Sequence, residues 1–508
     1  MSIFLLLHRR IAAASGRCSP SALRIETVIP VQNKSLEMTP LRSSLAKSAM
    51  SWPSSACLLV LAQVLWSCHG ACASSLNANQ SRKYDAFNTP TKRTPKIDIV
   101  RGTLAVRSHL PFPSGAPNVH SHQAAGRKAV AAADTRRYLS GTRTPSEGTL
   151  AASTGEGHTC FITASAQLYC WGSGERGRLG YGSETNVGDS STPYSQGAVS
   201  LPSGRSAVFV SAGAGHTCAV LDNAAAMCWG NAFSGRLGTG STSAHLGDNE
   251  ALTGVPALSL PGGRSAATIG AGNSHTCVLM ADASVACWGS RSDGRLGNGL
   301  TSGSTAAAVS ASIVNLPSAQ STVQLAVGGT HTCVLTTLGN IVCWGNGPNG
   351  RLGYGSAADV SSPAANVALP GGQGASWVTA TDSHTCVVLI NGDVSCWGRG
   401  DEGQLGYGNL ADVGDSSTPA TQGAVPLPSG VVATQVSGGR SHTCILAAAG
   451  KGVFCWGSNT QGQLGGGTAA SAGDGQPGST AMSALVPVRF SSVSAVVGIS
   501  SGYRHVCE

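Results

Sequence analysis

One unit is copied along this chain. The tripeptide His-Thr-Cys occurs six times, and each copy is followed by Cys-Trp-Gly and then by Gly-Arg-Leu-Gly or Gly-Gln-Leu-Gly. A partial seventh copy, His505-Val506-Cys507, precedes the last residue, and successive histidines lie 53 to 63 residues apart. Repetition at near-fixed spacing indicates one supersecondary element that recurs, so the chain must fold as an array of similar units.

Each unit has the pattern of short β-strands. In the fifth copy, β-prone residues flank Asn391-Gly392, a strong hairpin signal, and the β-prone stretch 376–379 precedes His-Thr-Cys. The Gly-Arg-Leu-Gly segment can supply a fourth strand or a turn. Helical periodicity is missing, and 68 glycines suit the many turns. The pattern predicts an all-β fold, a β-propeller of four-stranded blades with six complete repeats and a partial seventh, over residues 151–508.

The two cysteines of each unit are predicted to face each other across the hairpin. If the loop 390–392 ends in a left-handed glycine, Cys386 faces Cys396 at a non-hydrogen-bonded site, where the Cβ separation suits a disulfide. Zinc would need four convergent ligands, which one histidine and a facing cysteine pair do not supply. We therefore predict no metal and no cofactor. The predicted disulfides are Cys160–Cys170, Cys218–Cys228, Cys277–Cys287, Cys333–Cys343, Cys386–Cys396 and Cys444–Cys455.

The chain is divided by charge. Residues 1–150 hold 19 Lys and Arg against 6 Asp and Glu, whereas residues 151–508 hold 13 against 18, a net charge of −5. Nucleic-acid binding depends on clustered Lys and Arg, so we expect no nucleic-acid partner for the repeat region.

The first 150 residues resemble a secretory leader and a linker. The 11-residue apolar run 56–66 precedes Ala71-Cys72-Ala73, a small-x-small cleavage pattern, and is too short for a membrane span, which needs roughly 17–25 residues. We predict a leader with signal peptide at 1–73, with translation starting at Met38 or Met50, and a disordered, basic, Ser- and Pro-rich linker at 74–150. The predicted location is extracellular or the cell surface. An organelle is an alternative location, because the first residues contain several arginines and few acids. The cytoplasm is a second alternative, which rests on the resemblance described below.

The residues shared by all units are interpreted as structural. Six identically placed histidines would imply six identical active sites, so a buried role with a hydrogen bond to neighbouring backbone is favoured. The tryptophans are expected to pack between adjacent sheets, and Arg178 and its counterparts are expected to pin a turn. Recognition is instead expected in the variable insertions, such as 181–204 and 407–430. Asp189 and Asp415 are predicted to close these loops as Asx turns, because calcium needs more oxygen ligands. The candidate binding residues are Tyr181, Asp189, Tyr194, Tyr354, Tyr407 and Asp415.

These motifs resemble the repeat of the regulator of chromosome condensation family, over about residues 151–508. The resemblance implies a propeller that usually has seven blades. The founding member is a chromatin-bound exchange factor for the Ran GTPase, and other members are extracellular binding proteins. The cysteine-paired units look like the secreted branch, and no stretch matches the wedge of the exchange factor, so no exchange residues are carried over. The seventh copy has no Cys-Trp-Gly hairpin before Glu508, and we expect one beyond it, with the partner of Cys507.

Two classes of function remain. The first is a non-enzymatic, secreted or cell-surface scaffold that recognises a protein or glycan through inter-blade loops. The alternative is a guanine-nucleotide exchange factor or GTPase-associated adaptor with a Ran-like partner. The redox state distinguishes them, because six disulfides would not persist in a reducing cytosol.

Overall fold

The structure is a computed structural model that describes residues 151–202, 204–467, 469–489 and 496–507. All of them belong to one structural unit. The leader predicted at 1–73 and the linker predicted at 74–150 lie outside the described residues. In the described ranges, no helix has the length and apolar character needed to cross a bilayer.

Each of the six complete repeats contains three consecutive antiparallel strands that pair in one sheet, and the sheet of the third repeat has a short fourth strand. The first strands are Ala151–Thr154, Ala207–Ala212, Ala266–Ala271, Thr322–Val327, Ala375–Ala380 and Ala433–Gly438. The second strands begin at the repeated histidine: His158–Ile162, His216–Leu221, His275–Met280, His331–Thr336, His384–Leu389 and His442–Ala447. The third strands contain Cys-Trp-Gly: Leu168–Gly172, Ala226–Gly230, Val285–Ser290, Ile341–Gly345, Val394–Gly398 and Gly452–Gly457.

The fourth strand is shorter than the predicted blade requires. The third repeat has a two-residue strand, Ser304–Thr305. In the other five repeats a single bridge pairs one residue with the glycine of Cys-Trp-Gly, namely Val187, Leu246, Val360, Val413 and Ala472. The Gly-Arg-Leu-Gly segment does not supply this strand, since Gly177 and Gly180 have φ of +73° and +81°, values that an extended strand cannot adopt. The segment forms a tight turn instead. Two one-turn helices, Pro193–Gln196 and Pro419–Gln422, lie in the insertions that follow.

The hairpin register agrees with the sequence prediction. Gly392 has φ of +87°, the Leu389 amide donates to the Asp393 carbonyl over 2.8 Å, and Cys386 lies opposite Cys396. All six predicted cysteine pairs are joined by disulfides, with Cα atoms 4.0–4.1 Å apart. The disulfides therefore lie within blades, each clamping the second strand to the third.

The partial seventh repeat bridges the sixth repeat and the first. Its strands Ser500–Ser501 and Val506–Cys507 pair with each other. The Tyr503 amide donates to the Gly155 carbonyl over 3.2 Å, and the Arg440 amide donates to the Tyr503 carbonyl over 3.3 Å. Because the seventh repeat contacts both neighbours, the first strands surround a common axis, as in a seven-bladed propeller.

Adjacent blades pack through the repeated tryptophan. Trp229 of the second repeat is fully buried, and its Nε1 donates to the Arg178 carbonyl of the first repeat over 3.1 Å. A Cβ on Gly180 would lie 2.8 Å from that nitrogen, so only glycine lets the turn approach the indole. Gly238, Gly297, Gly353 and Gly406 approach the next tryptophan in the same way. The predicted packing role is confirmed for the tryptophans of the second to sixth repeats, which pack on the Gly-Arg-Leu-Gly or Gly-Gln-Leu-Gly turn of the preceding repeat. Trp171 of the first repeat is only partly buried.

The repeated histidines form a belt with the repeated threonines. Nε2 of His158 lies 2.8 Å from Oγ1 of Thr217 in the next repeat, and both side chains are buried. The same bond, at 2.8–3.0 Å, joins His216–Thr276, His275–Thr332, His331–Thr385, His384–Thr443 and His505–Thr159. The structural interpretation of the histidines is confirmed. Their partner, however, is a hydroxyl of the neighbouring blade and not the backbone. We call these bonds the His–Thr belt.

The belt has one break, at His442. Val506 stands where the other repeats have threonine, and Nε2 of His442 has no hydrogen-bond partner among the described residues. We expect Val506→Thr to raise the free energy of unfolding by about 1 kcal/mol, since the introduced hydroxyl satisfies a buried polar atom. Urea unfolding of this variant beside Val506→Ala checks it. A loss of stability in both variants would contradict the expectation.

Candidate ligand site on the axial face

Seven turns meet around the axis at the end where the second strands begin. Six of them have the form Gly-x-x-His, and the turn of the fifth repeat is Thr-x-x-His. We call all seven the axial turns. Their residues are 155–158, 213–216, 272–275, 328–331, 381–384, 439–442 and 502–505. Main-chain bonds link neighbouring turns, such as the Glu156 amide to the Gly213 carbonyl at 3.3 Å and the Gly329 amide to the Thr381 carbonyl at 3.0 Å. Together they line a narrow axial cavity of about 100 Å³. The axial turns thus form a repeated, tightly held surface.

Side chains on this surface differ from blade to blade. The residue after the first position of each turn is Glu156, Ala214, Asn273, Gly329, Asp382, Arg440 or Tyr503. A constant scaffold that presents different side chains at equivalent positions is typical of the binding face of a repeat protein. The long insertions, and not this face, were the binding surface predicted from the sequence. The signal for the axial face was the variable position inside an otherwise repeated motif.

Contacts between these side chains divide the axial face. Nδ2 of Asn273 donates to Oδ1 of Asp382 over 3.2 Å, and a Cβ on the intervening Gly329 would lie 2.2 Å from that oxygen. Gly329 therefore leaves room for the bond. In the sixth and seventh repeats, the Arg440 guanidinium lies 4.8 Å from the centre of the Tyr503 ring, a cation–π contact. One side of the axis thus carries a hydrogen-bonded aspartate, and the other carries an arginine in contact with a tyrosine ring.

Beside the axis, the first, second and seventh repeats enclose an open cleft of about 660 Å³. Its charged lining is four arginines and two glutamates, with a net charge of +2, and Tyr503 also lines it. We call it the arginine cleft. The charged residues are Glu156, Glu175, Arg176, Arg178, Arg236 and Arg504. The cleft is a cationic site in a repeat region whose overall charge is negative.

The backbone of neighbouring turns holds the buried arginines. Nε of Arg178 donates to the Glu175 carbonyl over 2.9 Å and its Nη1 donates to the Ala214 carbonyl of the next repeat over 3.1 Å. Arg236 repeats this with Phe233 at 2.8 Å and Asn273 at 2.6 Å. The predicted role of these arginines in pinning a turn is confirmed, and each also links two blades.

Arg236 lies in a markedly positive environment. Burial, and then the charges of Arg176, Arg178 and Arg295, lower the pKa of Arg236 to about 10. The guanidinium remains charged at neutral pH, and a bound anion would stabilise it.

Three of the candidate tyrosines cover the edge of a hairpin. The Tyr181 hydroxyl accepts from the Cys170 amide and donates to the Cys170 carbonyl, both over 3.1 Å. Tyr354 and Tyr407 make the same two bonds to Cys343 and Cys396. Burial raises the pKa of Tyr354 to about 12. These three hydroxyls are hydrogen-bonded to backbone groups of the third strand. Tyr194 is 85% exposed and is therefore the candidate tyrosine whose side chain is free to contact a ligand.

The candidate aspartates hold the residue that follows them. Oδ1 of Asp189 accepts from the amide and the hydroxyl of Ser190, and Asp415 does the same with Ser416. An Asx turn would instead reach two residues on, so these loops close differently from the prediction. The six candidate residues lie in the first, fourth and fifth repeats, and the structure does not bring them together at one site. No cluster of three metal-ligating side chains occurs in the described part of the chain.

Comparison with known proteins identifies the family. The family model described as RCC1-like domain matches residues 126–507. The chain belongs to this family. The ultraviolet-B receptor UVR8 of Arabidopsis thaliana is 31% identical over 362 residues, which are 71% of this chain and 74% of the receptor. The E3 ubiquitin-protein ligase HERC2 of Mus musculus is 30% identical over 263 residues, 51% of this chain and only 5% of the ligase.

Solved structures agree on the fold. Human WBSCR16 superposes with a TM-score of 0.57 at 20% identity, over 71% of this chain and 86% of that one. Yeast RCC1 (Prp20), in its complex with Kap60, superposes with a TM-score of 0.54 at 17% identity, over 72% of this chain and 80% of that one. The predicted RCC1-type propeller is confirmed. At these identities the likeness concerns the fold alone.

Proposed function

We propose that this protein is a non-enzymatic binding scaffold that works outside the cell or at the cell surface and recognises a protein partner through the axial face. The observation that carries the proposal is the contrast within the axial turns. Their backbone and histidines repeat, whereas the residue after the first position differs in all seven. Our sequence interpretation expected inter-blade loops as the binding surface; the axial face takes their place because its residues converge.

The compartment is argued from the disulfides. Six cross-strand disulfides lie in the repeats, and their cysteines are buried. Such bonds form and persist in oxidising compartments and are rare in the cytosol. The apolar run at 56–66, which the sequence interpretation assigns to a signal peptide, supports the same location.

The alternative function is exchange activity on a Ran-like GTPase. It draws on family membership, and one solved relative is described by its binding to Gsp1p and histones. Two features weigh against it for this chain: the net charge of −5 in the repeat region and the missing match to the exchange wedge. A glycan partner is an outcome of the test below.

The test expresses the full chain with its own leader in eukaryotic cells. Secretion into the medium, a disulfide-bonded repeat region and capture of a partner from arrays of cell-surface proteins and glycans are the expected results. A cytosolic protein with reduced cysteines that accelerates GDP release from a Ran-type GTPase would overturn the proposal and establish the alternative.

A further inference from the structure

One arginine of the cleft has an unused donor. Arg236 is only 8% exposed, and its Nε and Nη1 donate hydrogen bonds to two backbone carbonyls. Its Nη2 has no hydrogen-bond partner in the described part of the chain. Nor does any described carboxylate form an ion pair with it. A largely buried charge without a counter-charge is unfavourable, so an anion that reaches Nη2 from the cleft would be stabilised.

The other arginines at this turn position differ from Arg236 in this respect. Nη2 of Arg178 pairs with Glu175 at 2.7 Å, three residues earlier. In the third repeat, Nη2 of Arg295 pairs with Asp293, two residues earlier. In the fourth repeat, Nη2 of Arg351 donates to Oδ1 of Asn349 over 3.5 Å.

In the second repeat the corresponding positions hold Phe233 and Ser234, which carry no carboxylate. In the first, third and fourth repeats, a side chain of the turn itself contacts Nη2 of the arginine. In the second repeat no side chain of the turn does so, and Arg236 lines the cleft.

We propose that the arginine cleft binds an aspartate or glutamate side chain of a protein partner, with Nη2 of Arg236 as the principal donor. This inference rests on the proposed scaffold function and names the chemistry that the partner presents. Guanidinium groups bind carboxylates with charge-assisted hydrogen bonds, often two at once, which gives both strength and orientation.

The lining of the cleft favours one carboxylate over a polyanion. Glu156 and Glu175 stand in the same cleft, and Glu175 already pairs with Arg178. A sulfated glycan or a nucleic acid would bring many negative charges to these glutamates and to a repeat region of net charge −5. Outside the lining, Phe233 is 44% exposed, and its ring centre lies 4.7 Å from the guanidinium of Arg176, which does line the cleft. An apolar contact beside a charged one suits a protein surface.

The substitution that tests the cleft is Arg236→Gln. Gln404 and Gln463 occupy the same turn position in the fifth and sixth repeats, so the fold accepts glutamine there. The matched control is Arg295→Gln, which changes the same position in the third repeat, where the side chain already pairs with Asp293 and does not line the cleft.

The probe is a library of random peptides displayed on phage and selected on the full chain with its disulfides formed. We expect the enriched peptides to share an acidic residue. Fluorescence anisotropy should show that changing this residue to its amide weakens binding at least about tenfold, and that Arg236→Gln does the same. The two changes together should cost little more than either alone, because they remove the same contact. Arg295→Gln should leave the affinity unchanged.

Four outcomes would overturn the inference, and they differ in whether the scaffold function survives. Enriched peptides without an acidic residue, or equal effects of Arg236→Gln and Arg295→Gln, would reject the carboxylate site while the scaffold function survives. Binding of sulfated glycans in place of peptides would also reject it. A full chain that enriches no peptide and captures no surface protein or glycan would reject the scaffold function itself.

Discussion

Lowering the pH from about 7.5 to about 5 is expected to reduce the free energy of unfolding by several kcal/mol. The cause is the His–Thr belt. Burial, aided by nearby arginines and histidines, lowers the pKa of His158, His275 and His384 to about 3 and that of His216 and His331 well below its usual range. The folded protein therefore keeps these rings neutral at pH values where the unfolded chain protonates them.

The direction follows from proton binding in the two states. An unfolded histidine has a pKa of about 6.5. Below that pH the unfolded state binds protons that the folded state does not bind. The free energy of unfolding therefore decreases as the pH is lowered, until the folded pKa near 3 is reached. At pH 5 each histidine with a folded pKa of about 3 costs about 2 kcal/mol, and the three together about 6 kcal/mol. Ordinary carboxylates titrate near pH 4, so the range above pH 5 reports mainly on histidine.

The measurement is urea unfolding at several pH values between about 7.5 and 5. Replacing one belt histidine, as in His384→Gln, is expected to lower stability at pH 7.5 and to flatten the pH dependence by the share of that histidine. A free energy of unfolding that stays constant over this range would show that the belt histidines are accessible to protons in the folded state, against their burial.

Contacts between residues that are close in sequence could be predicted, whereas contacts between repeats could not. The register of Cys386 and Cys396 follows from a three-residue loop, so the hairpin and its disulfide could be derived from the residues between them. The role of Gly180 could not, because its conformation serves the indole of Trp229 in the next repeat. The threonine partners of the histidines were missed for the same reason, since they lie in the neighbouring blade.

The site was harder to predict than the fold. The arginine cleft joins Arg236 to Arg504, which are far apart in sequence and come together only when the seventh repeat lies beside the first. The sequence did contain one usable sign, the missing acid before Arg236 in a turn where the first, third and fifth repeats have one. An aromatic residue in an insertion can also bind its own blade, as the Tyr181 hydroxyl does, and the sequence does not distinguish this role from ligand binding.

Complete reduction of the six disulfides is expected to unfold the repeat region at room temperature without denaturant. Each bond closes a loop of about ten residues, and the chain-entropy model assigns about 2–3 kcal/mol to such a loop. Six of them contribute more than about 12 kcal/mol, which is comparable with the whole stability of a typical domain, about 5–15 kcal/mol. Circular dichroism and tryptophan fluorescence with and without a phosphine reductant would show the loss.

Removing one disulfide at a time measures the contribution of each bond to the free energy of unfolding. Replacing Cys386 and Cys396 together by alanine is expected to lower the free energy of unfolding by about 2–3 kcal/mol, and the matched change at Cys444 and Cys455 by the same amount within a few tenths, because one more residue in the loop alters its closure entropy little. A repeat region that stays folded after full reduction would mean that the tryptophan interfaces and the His–Thr belt suffice. The protein could then work in a reducing cytosol, and the redox argument for an extracellular scaffold would fail with it.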